Sequence, residues 1–259
     1  MSQLAVYLGM PCGSRQVDIG ASRGLFQTPC RPDVKFNVVP DFAMGSLLPH
    51  VFNTLWVRAL RGRKTHGFTH FAMIHSDVDP ELWWLEKLME FIQYTEADVV
   101  STVIPIKDSR GLTSTGGIAI TDDGPLVRRL TMVEAHSLPQ VFGKKDLPWG
   151  EDMALAVNTG LWVCDLRKDW VNEFHFHQDD AIVSKILENH DEPVPFANTS
   201  PEDWNASLDW DSYGATVMAT TGVKVRHFGD IGFTNAEPWG EWETDREFES
   251  IVKKGYAAV

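Results

Sequence analysis

The chain has 259 residues, 43% of them apolar and 23% charged, with 36 Asp and Glu against 23 Lys and Arg. That length buries a sizeable core, and the composition excludes a disordered chain, a collagen-like repeat and a disulfide scaffold. A net charge of -13 weighs against a broad phosphate-tracking nucleic-acid surface, which depends on clustered Lys and Arg.

Residues 4–8 (LAVYL) read as a short strand that ends at the breaker Gly9-Met10-Pro11. Residues 12–33 are rich in Gly, Arg, Ser and Pro and read as a loop, and residues 34–39 as the next strand. A helix follows, with Leu47, Leu48, Val51, Phe52, Leu55, Trp56, Ala59 and Leu60 at helical spacing, Ser46 as its N-cap and Pro49 in its first turn. Residues 71–74 form an apolar strand running into His75-Ser76-Asp77-Val78-Asp79, and a second helix is expected from Pro80 to about Tyr94. The β-branched run 98–106 (DVVSTVIPI) reads as a buried central strand, with further strands at 117–120 and 161–164. Helices are expected over 179–189 and 201–212, then strands at 216–219 and 224–228 and a Trp-rich acidic tail.

Strands alternating with helices in the first 105 residues predict an α/β fold: a mostly parallel central sheet flanked by helices. Ligands of such sheets bind at the carboxyl ends of the strands. The absence of repeats or linkers favours one continuous domain, with a nucleotide-binding half (1–105), an acceptor half (106–235) and a C-terminal tail (236–259). No apolar run approaches the roughly 20 residues that span a bilayer, and the N-terminus lacks the features of a signal peptide. Three scattered cysteines, Cys12, Cys30 and Cys164, fit a cytoplasmic protein, with a bridge between Cys12 and Cys30 left open. Ten tryptophans serve either the core or stacking on sugars and bases.

Two acidic motifs carry the chemistry. Asp77 and Asp79 follow the end of a buried strand, where carboxylates two apart can share a hard cation such as manganese or magnesium. Asp79 also stands just before Pro80 and Glu81, as a helix N-cap would; Asp77 stands too early to cap. In Ser200-Pro201-Glu202-Asp203, either Asp203 completes a capping box, or Glu202 or Asp203 is a general base. A carboxylate at a helix N-terminus is expected to be ionised at pH 7. His227 ends a later strand, where its imidazole could complete a cation's ligand set, manganese suiting it better than magnesium. Asn158, Thr159 and Gly160 form either sugar contacts or a tight turn. Arg110 is either a diphosphate contact or a solvated loop arginine. In residues 174–180 (FHFHQDD), alternation puts His175 and His177 on one face, as an acceptor-side wall, with Asp179 equally able to cap the next helix.

In this order the pieces resemble the family-2-like nucleotide-sugar glycosyltransferases of the GT-A fold, those encoded by phages and bacteria most closely. Three segments carry the resemblance: MIHSDVDPE, SPEDWNASLDWDSYGATVMATTGVKVRHFG and, more weakly, AVNTGLWVCDL. The resemblance implies a metal-dependent inverting transferase with a UDP-sugar as the expected donor. It implies that Asp77, with Asp79 and His227, binds Mn2+ or Mg2+, and that Asp203 is the base with Glu202 beside it. His75 stands where the family's first strand-end aspartate is usual, so His75 and Ser76 face either nucleotide or metal. Base and ribose are placed near Pro11, Gly13 and Arg15. The acceptor is open: a protein hydroxyl, a glycan or a modified nucleobase. Two rival readings are a nucleotidyltransferase or nucleotide-sugar pyrophosphorylase, for which GMPCGSRQ is a poor triphosphate loop, and an inactive nucleotide-sugar-binding module.

Overall fold

The computed structural model describes residues 4–13, 16–121, 124–185 and 192–253. It opens with β1 (Ala5–Cys12), α1 (Ile19–Cys30), β2 (Asn37–Met44), α2 (Leu48–Thr65) and β3 (His70–Ile74). Successive β1 side chains point to opposite faces. Ala5 and Tyr7 therefore enter one core cluster, while Val6, Leu8, Met10 and Cys12 enter another. The strand runs through Gly9-Met10-Pro11 rather than ending there. Past Gly9 it pairs with β2 alone, where the missing proline N–H is tolerated.

The loop expected over residues 12–33 is largely α1. Asp18 caps it, its Oδ1 accepting the backbone N–H of Gly20 at 2.7 Å and of Ala21 at 3.4 Å. Gly20 and Gly24 dilute its helical pattern for a packing reason. A Cβ on Gly20 would lie 2.1 Å from Asp79 Cγ, and one on Gly24 2.8 Å from Ile74 Cδ1. The helix α2 buries Val51, Phe52, Leu55, Trp56 and Ala59 as its spacing requires, but its N-cap is Leu47, without a side-chain bond, and not Ser46.

Next come β4 (Val78–Pro80), α3 (Trp84–Thr95) and β5 (Val99–Thr102). The expected helix from Pro80 starts later because residues 78–80 pair with a distant strand, so Asp79 caps nothing. The chain continues through β6 (Leu112–Thr121), β7 (Gly124–Thr131), α4 (Met132–Ser137), β8 (Val141–Phe142), β9 (Ala154–Ala156) and β10 (Leu161–Asp165). It ends with β11 (Asp179–Lys185), β12 (Val194–Ser200), α5 (Glu202–Ser212), β13 (Val217–Thr220), β14 (Val225–Phe228), β15 (Gly232–Thr234) and α6 (Arg246–Lys253). The helix expected over 179–189 is overturned. As far as Lys185 the segment is a strand, zipped to β12 from Asp179 opposite Ser200 to Lys185 opposite Val194; residues 186–189 lie outside the described residues.

The fold is α/β. A seven-stranded sheet in the order β2-β1-β3-β10-β5-β13-β8 is mostly parallel, with only β10 and β8 reversed. One core cluster packs α2 and α5 on one face, and the other packs α1 and α3 on the opposite face. Two smaller sheets, β7-β6-β9 and β15-β14-β4, lie beside it. Trp56, Trp84, Trp162 and Trp210 are fully buried, which assigns these four to the core; each such ring contributes several kcal/mol, about 3–5 when truncated to alanine. The three cysteines are free. Among the described residues no helix is long and apolar enough to cross a membrane.

Candidate functional site

The strand β3 ends at Ile74, and the chain turns through His75, Ser76 and Asp77 before β4 pairs antiparallel with β14. This pairing sets Val78 opposite His227, and Phe228 donates its N–H to the Asp77 carbonyl at 2.9 Å. Two side chains 150 residues apart in sequence are thereby brought together: His227 Nε2 stands 3.6 Å from Asp77 Oδ2. His227 Nδ1 lies 2.8 Å from the Pro105 carbonyl oxygen. A carbonyl only accepts, so Nδ1 carries a proton there, and Nε2 is the nitrogen that faces Asp77.

Lys107, in the segment after β5, also reaches Asp77 Oδ2, at 2.5 Å. Burial would raise the Asp77 carboxyl, but hydrogen bonds from His227 and Lys107 outweigh it and hold the group well below the usual carboxylate range. His75 is half-buried, its Nε2 enclosed without a hydrogen-bond partner among the described residues and its ring 5.2 Å from Phe52. Burial pushes the imidazole down to about 4, Asp77 opposing and His227 and Lys107 assisting, so at neutral pH His75 is uncharged. Ser76 contributes its carbonyl, which accepts the Asp18 N–H that starts the α1 cap.

Asp79 is not beside Asp77. Its carboxylate turns to α1, where Arg23 Nη2 meets Oδ1 at 2.6 Å, and it packs in the space left by the missing Gly20 side chain. An exchange of ion-pair partner on this scale removes it from the metal set expected by the D-x-D spacing. Among the described residues no group of three or more His, Cys, Asp or Glu is gathered to hold a metal. Of the three expected ligands, Asp77 and His227 alone stand together.

The second acidic motif opens α5. Pro201, not Ser200, is its N-cap, without a side-chain bond, and Ser200 Oγ instead bonds Asn205 Oδ1 at 2.5 Å. No capping box forms. Asp203 Oδ1 accepts the N–H of the following Trp204, at 2.9 Å. Burial, reinforced by neighbouring Glu202, pushes the Asp203 carboxyl up to about 7, with Arg129 pulling the other way; burial raises Glu202 too. The expectation of a fully ionised carboxylate at a helix N-terminus is therefore corrected: desolvation outweighs the helix dipole. Arg129 lies with its guanidinium carbon 5.5 Å from the Trp204 ring centroid, and pairs with Glu247 at 3.8 Å.

A short bridge links the Asp203 segment to the turn of Asp77. Ser207 Oγ donates to the Asp203 carbonyl at 2.7 Å and accepts the Val157 N–H at 3.0 Å. Three residues on, the Gly160 carbonyl accepts the His75 N–H at 2.8 Å. Residues 157–160 thus connect the first turn of α5 to the turn carrying Asp77. Within that bridge Asn158 Oδ1 accepts the Gly160 N–H, its carbonyl accepts Ser101 Oγ at 2.5 Å, and Thr159 is buried. This is the tight-turn reading of the three residues, with the Asn158 side-chain oxygen already engaged.

Other expected donor contacts fare differently. Arg110 is clasped by Asp108 at 2.8 Å and by Glu247, under the Trp242 ring, so it ties the C-terminal tail down and is not free for a diphosphate. Pro11 is buried within β1 and Gly13 is exposed just beyond it; Arg15 lies outside the described residues. His177 bonds Asp209 on α5 at 3.1 Å and Asp179 at 3.3 Å, its ring 5.5 Å from that of His175, so it anchors the start of β11 to α5. Lys107 and Arg129 were not singled out from sequence. Lys107 had a signal, as the first charge past the strand run 98–106; Arg129 had none.

No family model matches the chain, and no curated protein matches it by sequence. Among solved structures it is similar to A197 from STIV, at 10% identity over 94% of this chain and 97% of that one, with a TM-score of 0.49. It is also similar to a protein assigned as a UDP-N-acetylglucosamine pyrophosphorylase from Entamoeba histolytica (12% identity, 65% of this chain and 41% of that one, TM-score 0.30). HddC from Yersinia pseudotuberculosis matches at 13% identity over 66% of this chain and 80% of that one, with a TM-score of 0.30. The functional reading rests on the geometry of the site, not on these likenesses.

Proposed function

We propose that the protein is a metal-dependent inverting glycosyltransferase that moves a sugar from a nucleoside-diphosphate donor, a UDP-sugar in the first instance, to an acceptor hydroxyl. One observation supports this above the others. His227 Nδ1 is tied to the Pro105 carbonyl, which turns Nε2 to face Asp77 Oδ2 3.6 Å away. An imidazole and a carboxylate brought this close at the end of a sheet are the donor types a divalent cation takes. The donor set, one imidazole and one carboxylate, fits manganese or magnesium with the remaining positions left to water and diphosphate oxygens.

When bound, the cation neutralises charge developing on the leaving diphosphate. The protein's own residues supply the rest. Asp77 and His227 would hold the cation beyond the end of β3, beside β14. Asp203 takes the acceptor hydroxyl proton as the acceptor oxygen bonds the anomeric carbon and the carbon–phosphate-oxygen bond breaks, its electron pair leaving with the diphosphate. A carboxyl near 7 suits a general base at neutral pH.

The test is turnover. With manganese and a panel of UDP-sugars, slow UDP release to water is expected, lost in chelator and in Asp203→Asn. Pyrophosphate release from a nucleoside triphosphate and a sugar phosphate would establish nucleotidyl transfer instead. No turnover of either kind, with donor still bound, would mean a binding module.

A further inference from the structure

The Asp77 carboxylate carries two claims on one oxygen. Lys107 Nζ is 2.5 Å and His227 Nε2 3.6 Å from the same Oδ2. A divalent ion between Asp77 and His227 would meet the Lys107 ammonium at close range, and like charges at that distance repel. Lys107 is partly exposed, a third of its side-chain surface remaining open. Its stem lies along Gly229, where a Cβ would come 3.4 Å from Lys107 Cδ, so the ammonium has open space on one side and a flexible four-carbon reach.

We propose that Lys107 acts as a place-holding cation: its ammonium neutralises Asp77 until a divalent ion takes the carboxylate, and it then turns onto the diphosphate of the donor. This rests on the metal and donor reading given above. It makes metal and nucleotide binding interdependent, because the same ammonium opposes the first and supports the second. It also explains how the Asp77 carboxylate is held as it stands: Lys107 already balances its charge.

The two roles predict effects of opposite sign in one variant. Manganese alone, titrated calorimetrically and by the loss of its free-ion magnetic resonance signal, should bind Lys107→Met about tenfold more tightly than the parent, the equivalent of one hydrogen bond to a charged group. UDP titrated in saturating manganese should bind the same variant about tenfold more weakly. Lys107→Arg, which keeps the charge, should remain near the parent in both. Manganese affinity unchanged or weakened in Lys107→Met would overturn the proposal. So would tighter manganese binding with UDP affinity intact, because the ammonium would then not reach the diphosphate. Manganese binding by neither protein, or binding indifferent to Asp77→Asn, would instead overturn the metal reading, and this inference with it.

Discussion

Replacing Asp203 with asparagine separates two consequences of one buried carboxyl. The group is neutral in the folded protein up to about pH 7 because burial and Glu202 disfavour its charge, whereas its ordinary value is 3.8. The folded state therefore holds a proton that the unfolded chain has released, across a window from 3.8 to about 7. Stability falls as pH rises through that window and levels off above it, since the folded state there binds more protons than the unfolded one. Three pH units at about 1.4 kcal/mol each give about 4 kcal/mol. Asp203 keeps some solvent contact, which screens the charge and brings the expected loss to about 2–4 kcal/mol.

Asparagine keeps the shape and never ionises. In urea unfolding followed by tryptophan fluorescence, Asp203→Asn should exceed the parent by about 2–4 kcal/mol at pH 8. The gap should shrink steadily toward pH 5 and vanish near pH 4. Transfer by the same variant should fall about 10²–10⁴-fold at pH 8, where the parent's carboxyl is ionised, the usual contribution of a positioned base. The difference should narrow toward acid pH. Parity of the two proteins at pH 8 would refute the reasoning. A gap that widened on acidification would also refute it, and would restore the low-pKa carboxylate that the helix N-terminus alone suggests.

Arg129 is the cation that opposes the rise at Asp203, so Arg129→Gln should move the rising limb of the pH–rate profile upward by about one unit, while Arg129→Lys holds it in place; an unmoved limb in the glutamine variant would dismiss Arg129 from this role. Gly20→Ala should destabilise the fold by about 1–3 kcal/mol, because its Cβ would lie 2.1 Å from Asp79 Cγ. Thermal denaturation reads this, and the added change Asp79→Ala should recover part of the loss. Stability equal to the parent would show that α1 does not press on β4.

Much of this arrangement is legible in the chain before any coordinates. The strand 71–74, the helix pattern from Leu47 and the acidic opening of α5 all stand where their spacing puts them, because each is encoded by local periodicity. What fails depends on pairing at long range. The segment from Asp179 is a strand only because Val194–Ser200 lies antiparallel to it, and nothing local to residues 179–185 announces that partner. Asp79 looks like a cap or a ligand until Arg23, on a helix masked by the glycines that let it approach, claims its carboxylate. The charge state of Asp203 could not be read at all: sequence shows the helix N-terminus but not the burial that outweighs it. Arg110 fails for the same reason, since Glu247 arrives from 137 residues away.

The account stands most directly on the gap between Asp77 and His227. Crystals grown with manganese and UDP, measured at the manganese absorption edge, locate the ion independently of any assay. One anomalous peak bonded to Asp77 and to His227 Nε2, at about 2.1–2.2 Å, with diphosphate oxygens completing its shell, is the expected result. A peak elsewhere, or nucleotide bound with Lys107 still on Asp77 and no ion between the two side chains, would contradict it.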